Sequence, residues 1–213
     1  MRVKSYLLLF TLSLTYGYAS CTDSSLTKEA TFWNWFTENE DNIIGILDDQ
    51  SFATTLKAKM EEYYPVLTFE LGPAEEGKYN FYISCDGLRE GLPYVELLGT
   101  AAPELPKWNI IKYKQPHTTV KDIMIDGLRL GPKDIEVFYQ VTGKKVNIDL
   151  FIIGFVENDD RFTHLSFLLL DALLGEYAMM TKVGDISFNS NNSVQASIET
   201  IPFLELKNVV NSL

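Results

Sequence analysis

The feature that most constrains this chain is the run Leu165-Ser-Phe-Leu-Leu-Leu-Asp-Ala-Leu-Leu-Gly-Glu-Tyr177. Leu, Phe and Ala dress it on nearly every side, so a helix over roughly Asp160 to Tyr177 is expected to lie buried against a sheet. Gly175 sits inside that run, and Ala178-Met-Met-Thr-Lys-Val-Gly-Asp-Ile-Ser-Phe188 follows, with Val183 to Phe188 reading as a returning strand.

The segments before this helix supply the sheet. Ile135-Glu-Val-Phe-Tyr-Gln-Val141 and Val146-Asn-Ile-Asp-Leu-Phe-Ile-Ile-Gly154 form a predicted hairpin around Thr142-Gly-Lys-Lys145, and Asp122-Ile-Met-Ile-Asp126 is a short strand. A similar order occurs earlier. Val66-Leu-Thr-Phe-Glu-Leu71 and Tyr79-Asn-Phe-Tyr-Ile-Ser84 flank a turn-rich loop, a helix fits Pro93 to Ala102, and Trp108-Asn-Ile-Ile-Lys-Tyr113 is a strand. Strand, strand, helix, strand thus recurs as a pattern, in units of about 66–113 and 122–188.

Ahead of both units, Phe32, Phe36, Ile43 and Leu47 share one stripe of a predicted helix over Thr27 to Asp48. Phe52, Leu56, Met60 and Tyr63 keep the same spacing after a cap at Asp49 or Ser51, until Pro65 stops them. The cluster Phe32-Trp-Asn-Trp-Phe36 is expected to pack this helical hairpin onto the domain rather than to form a ligand platform. The fold class that follows is α+β: an N-terminal helical hairpin, then the pseudo-repeated unit, with a mainly antiparallel sheet and helices on one face. One domain over 28–190 is expected, with 191–213 as a C-terminal extension, polar first and apolar later, that reads as a loop with a last strand or short helix.

The first twenty residues are a different material. Arg2 and Lys4 precede the uncharged run Tyr6 to Tyr16, and small residues follow at Gly17, Ala19 and Ser20, the layout of a secretory signal peptide. Tyr18-Ala19-Ser20-Cys21 resembles the lipobox of bacterial lipoproteins, although Tyr18 stands where Leu, Val or Ile is usual. Cleavage there would leave Cys21 lipidated and anchored to the membrane, with residues 21–27 as a polar tether. Cleavage after Ala19 by an ordinary signal peptidase is the alternative, giving a soluble exported chain in which a Cys21–Cys85 bridge becomes open to formation.

Charge narrows the partners. Loss of Arg2 and Lys4 with the leader deepens a formal charge that is already −11, and no basic patch is visible, so nucleic acid is not an expected partner. No zinc spacing, nucleophile elbow, phosphate loop or dinucleotide fingerprint occurs, and no cofactor or metal is expected. Glu157-Asn-Asp-Asp160 lacks the ligand spacing of a calcium loop and reads as a solvated turn before the helix.

The remaining candidates for chemistry lie on the central helix. Asp160, His164 and Asp171 could share a face. Glu176 would be costly if buried without a partner, so it is either exposed or paired. Asp171, Glu176 and His164 are therefore the catalytic candidates for a carboxylate-dependent hydrolase of the envelope. The favoured expectation is a lipid-anchored binding module without catalysis, its partner an envelope protein or a small ligand.

Three stretches, Phe32-Trp-Asn-Trp-Phe-Thr-Glu-Asn-Glu40, Ala102-Pro-Glu-Leu-Pro-Lys-Trp108 and Leu169-Leu-Asp-Ala-Leu-Leu-Gly-Glu-Tyr177, together resemble a group of uncharacterised bacterial proteins. In that group an aromatic N-terminal helix, an Ala-Pro-x-Leu-x-x-Trp turn and a Leu-Asp-x-x-Leu-Gly-Glu-Tyr helix end occur in this order. The resemblance spans residues 28 to 190. It implies a bacterial source and one domain, and it brings no activity or functional residue with it.

Overall fold

A computed structural model describes residues 26–191 and 199–213. The leader, Cys21 and most of the tether lie outside them. The N-terminal helices are α1 (Lys28–Glu38), α2 (Glu40–Gly45) and α3 (Ala53–Tyr63). The predicted first helix is thus broken at Asn39, whose backbone N–H donates to the Trp35 and Phe36 carbonyls and whose side-chain amide donates to Trp35 O at 2.8 Å. These local bonds satisfy the end of α1 and let the chain restart as α2.

Both repeats form as the periodicity predicts. In the first, β1 (Thr68–Pro73) pairs antiparallel with β2 (Tyr79–Ser84), α4 (Leu92–Thr100) follows, and β3 (Trp108–Lys112) pairs with β2 in parallel. After the short hairpin of β4 (Ile123–Ile125) and β5 (Leu128–Leu130), the order repeats. There β6 (Ile135–Thr142) pairs antiparallel with β7 (Lys145–Ile152), and β7 takes β8 (Val183–Ser190) in parallel. Between β7 and β8 stand α5 (Asp160–Leu174) and α6 (Glu176–Lys182). The α+β class and the mainly antiparallel pairing are as expected, with the strands divided among separate sheets and a helix crossover making one parallel pair in each unit.

Each unit carries its own core. Phe32, Trp33 and Phe36 of α1 pack with Leu56 and Met60 of α3, Leu98 of α4 and Phe81 and Ile83 of β2. The aromatic cluster on α1 is therefore packing material, and the Trp33 indole N–H donates to Leu98 O at 2.9 Å. In the second unit Leu165, Leu169, Leu170 and Leu173 of α5 meet the inward residues Val137, Ile148, Leu150 and Ile152.

Two expectations change. The helix α5 is not buried on every side: Phe167 and Leu168 are exposed on its outward face. The chain past β8 is also more than an extension, because β9 (Ile201–Pro202) pairs with β6 and α7 (Leu206–Asn211) follows. Phe203, Leu206 and Val210 are fully buried in the second core, as the spacing of an apolar helix face allows.

Candidate functional site

Helices cover the Phe81 and Ile83 face of the first sheet, and strand alternation turns Tyr82 and its cross-strand partner Glu70 to the other side. That uncovered face forms one wall of a cleft of about 930 Å3. Leu168, Asp171 and Ala172 of α5 form the opposite wall, and the connecting segment from Lys114 to Asp122 closes the space between them. A smaller hollow of about 520 Å3 lies on the other flank of α5, lined by Phe167, Met179, Met180 and Ile186 and again by Asp171. Asp171 is thus common to both.

The most densely bonded link from the end of α5 to the first unit is Glu176. Gly175 ends α5 with φ 78° and ψ 156°, a conformation open to glycine and strained for other residues. A side chain there would also strike Pro116, whose Cδ would lie 2.7 Å from an added Cβ. The turn drives Glu176 into the interior, where it is 3% exposed. Its Oε1 accepts the Ser84 hydroxyl at 2.9 Å, the Cys85 N–H at 2.9 Å and the Gly87 N–H at 3.3 Å. Its Oε2 accepts the Lys114 N–H at 3.0 Å, while the Glu176 N–H donates to Lys114 O at 2.9 Å. A buried carboxylate so supplied with donors meets the condition for burial set by its desolvation. It binds one unit to the other.

Lys114 continues the network. Its ammonium bridges Asp86 at 2.7 Å and Glu70 at 3.2 Å. Burial opposes the Lys114 charge, yet the two carboxylates outweigh it and hold the ammonium above its ordinary pKa. Asp171 is in the contrary position. Burial pushes its carboxyl up to about 6; the Lys114 charge pulls against this, and the negative charges of Glu176 and Asp86 add to it. Among the described residues the Asp171 carboxylate has no hydrogen-bond or ion-pair partner, and the residue lines both the cleft and the smaller hollow.

The sequence candidates therefore separate. Asp171 lies in the cleft, whereas Glu176 is committed to structural donors and His164 is exposed on α5 away from both hollows. Asp160 sits in the first turn of α5, behind the true cap Asp159, whose side chain accepts from the Arg161 N–H. Asp159 also takes the Arg161 guanidinium at 2.8 and 2.6 Å, which explains the acidic turn as a capped and ion-paired helix start. Among the described residues no group of three or more His, Cys, Asp or Glu side chains is arranged to hold a metal ion.

Residues outside the sequence candidates complete the cleft, namely Lys114, Glu70 and the loop residue His117, while Asp86 lines the smaller hollow. The His117 N–H donates to Ala172 O at 2.7 Å and so pins the connecting segment beside Asp171. The Asp86-Gly87 pair, with φ of 48° and 77°, is a turn signal in the sequence, but nothing local says that the turn would cup a carboxylate. Cys85 in that turn is fully buried with its Sγ 3.8 Å from Met180 Sδ, and burial pushes its thiol up to about 12, with the Glu176 charge assisting. No helix among the described residues is long and apolar enough to cross a membrane. Compared with known proteins, the chain matches no family model, no curated protein and no solved structure.

Proposed function

We propose that this chain is an exported binding protein of the bacterial envelope, tethered to the membrane through a lipid on Cys21, that holds a small ligand in the cleft between its two units. The observation that carries the reading is Asp171: a carboxylate without a protein partner, on the wall of a cleft whose volume of about 930 Å3 suits a small-molecule site. The leader composition and the small residues before Cys21 support the anchor. Mass spectrometry of the native protein from a membrane fraction tests both parts. A mass beginning at Cys21 with acyl chains, together with a non-covalent ligand lost in Asp171→Asn, supports the reading. An unlipidated mass beginning at Ser20 removes the anchor, and an empty cleft in every native preparation removes the ligand.

A second reading, a carboxylate-dependent hydrolase of the envelope, draws on the same residue. A carboxyl titrating at about 6 can give or take a proton near neutrality. Glu176 does not serve as its partner, because four donors already occupy its oxygens. The hydrolase reading requires turnover that vanishes in Asp171→Asn while ligand binding remains.

A further inference from the structure

The charges that line the larger cleft are mostly spoken for. Glu70 is paired with Lys114, Lys114 with Glu70 and Asp86, and Asp122 with Arg129. Two charged groups on the lining remain without a partner among the described residues: the Asp171 carboxylate on α5 and the Lys121 ammonium at the end of the connecting segment. They have opposite signs and belong to different elements. The same lining includes Thr118 and Thr119 and the Gln115 side chain, whose amide nitrogen is already engaged with Lys112 O and Tyr113 O, leaving its oxygen to accept.

A purely anionic ligand would leave Asp171 unmet, and a purely cationic one would leave Lys121 unmet. A zwitterion answers both. The volume is near the upper end of the range of about 300–1,000 Å3 found for small-ligand sites, so it has room for several residues rather than one amino acid. From this complementarity we infer that the cleft binds a short peptide with free termini, its ammonium group at Asp171 and its carboxylate at Lys121. The inference rests on the binding reading above and names the class of ligand.

Titration calorimetry on the full-length protein in detergent tests it with trialanine, N-acetyl-trialanine and trialanine amide. Trialanine is expected to bind, and capping either terminus to weaken binding about tenfold or more, the worth of a charge-assisted contact. Asp171→Asn should lose the sensitivity to acetylation and keep the sensitivity to amidation; Lys121→Gln should do the reverse. Equal binding of all three peptides, or loss of both sensitivities in one variant, overturns the assignment of termini. If trialanine fails to bind while a non-peptide ligand co-purifies and is lost in Asp171→Asn, the peptide inference falls and the binding reading stands. If neither peptide nor co-purified ligand is found, both fall.

Discussion

The Glu176 clasp can be tested through its chemistry. Glu176→Ala removes an acceptor that serves Ser84 Oγ and the N–H groups of Cys85, Gly87 and Lys114. The hydroxyl can rotate elsewhere, but the amides cannot; a buried donor left unmet costs about 1–3 kcal/mol, which applies in full to Cys85 and less to the part-buried Gly87 and Lys114. A loss of about 3–5 kcal/mol is expected. Glu176→Gln is the sharper perturbation. Its carbonyl can stay at the Oε1 position with three donors, which sets its amide NH2 against the Lys114 N–H, so one bond is replaced by an opposition of donors. That costs about 1–3 kcal/mol.

The assay follows from where the tryptophans lie. Trp33, Trp35 and Trp108 all belong to the first core, so their fluorescence reports the first unit, while far-ultraviolet circular dichroism reports both. In urea the wild type should give coincident transitions by the two probes. Glu176→Ala should lower the midpoint and separate them, because the clasp joins units whose cores draw on different elements, except that Met180 of α6 packs in the first core. A Glu176→Gln loss below about 0.5 kcal/mol, within the range of an ordinary surface substitution, would refute the clasp.

Gly175→Ala should cost about 3 kcal/mol or more, through the strained backbone and the collision with Pro116, read as a shift of the urea midpoint. Cys85 should resist thiol reagents in the native protein and react fully once unfolded, as its burial and its thiol pKa of about 12 dictate; rapid native labelling would contradict its place under Met180. Asp171 carries a pH signature. Its folded pKa of about 6 lies above the ordinary 3.8, so the stability linked to its neutral form is complete below the lower value and is lost as pH rises through about 6. Asp171→Asn should therefore gain on the wild type by about 1–2 kcal/mol between pH 4 and 7, after allowance for solvent at a partly exposed carboxyl and with Lys114, Glu176 and Asp86 as the neighbouring charges. Urea midpoints across that range give the difference directly, and a flat difference would show that Asp171 is not held high.

Strand order was legible because it depends on local pattern. Alternation marked β1, β2, β6 and β7, and turn residues separated them. Of the β4–β5 hairpin the sequence shows β4, while β5 escapes because it is three residues long, although Asp126-Gly127 with φ of 46° and 78° is a strong hairpin signal. A last strand or short helix is legible in the tail, where Phe203, Leu206 and Val210 keep helical spacing, but its place is not, because the β9 pairing that brings them to the core is two residues long. For Glu176, sequence chemistry gave the choice between exposure and pairing, and the structure takes pairing. Its partners lie 62 to 92 residues away, so their identity is a property of the fold and not of the neighbourhood. The outward Phe167 and Leu168 were misjudged for a related reason. Apolar content says how much a helix can bury, whereas the hollows beside α5 decide which of those residues remain open.

The cleft and the clasp are parts of one arrangement. The first sheet leaves its Glu70 and Tyr82 face without a helix, and α5 leaves an outward face beside it. The spacing of those faces is set at the end of α5, where Gly175 and Glu176 meet Lys114. Any ligand that touches both walls therefore acts across the same junction as Glu176. At one hundred times its dissociation constant such a ligand stabilises the bound form by about 2.7 kcal/mol, comparable with the loss expected for Glu176→Gln. Ligand should accordingly offset the midpoint loss of that variant, with the fluorescence and dichroism transitions rising together. A ligand that raised the midpoint of one unit alone would have to bind on one wall, and the cleft between the units would not be its site.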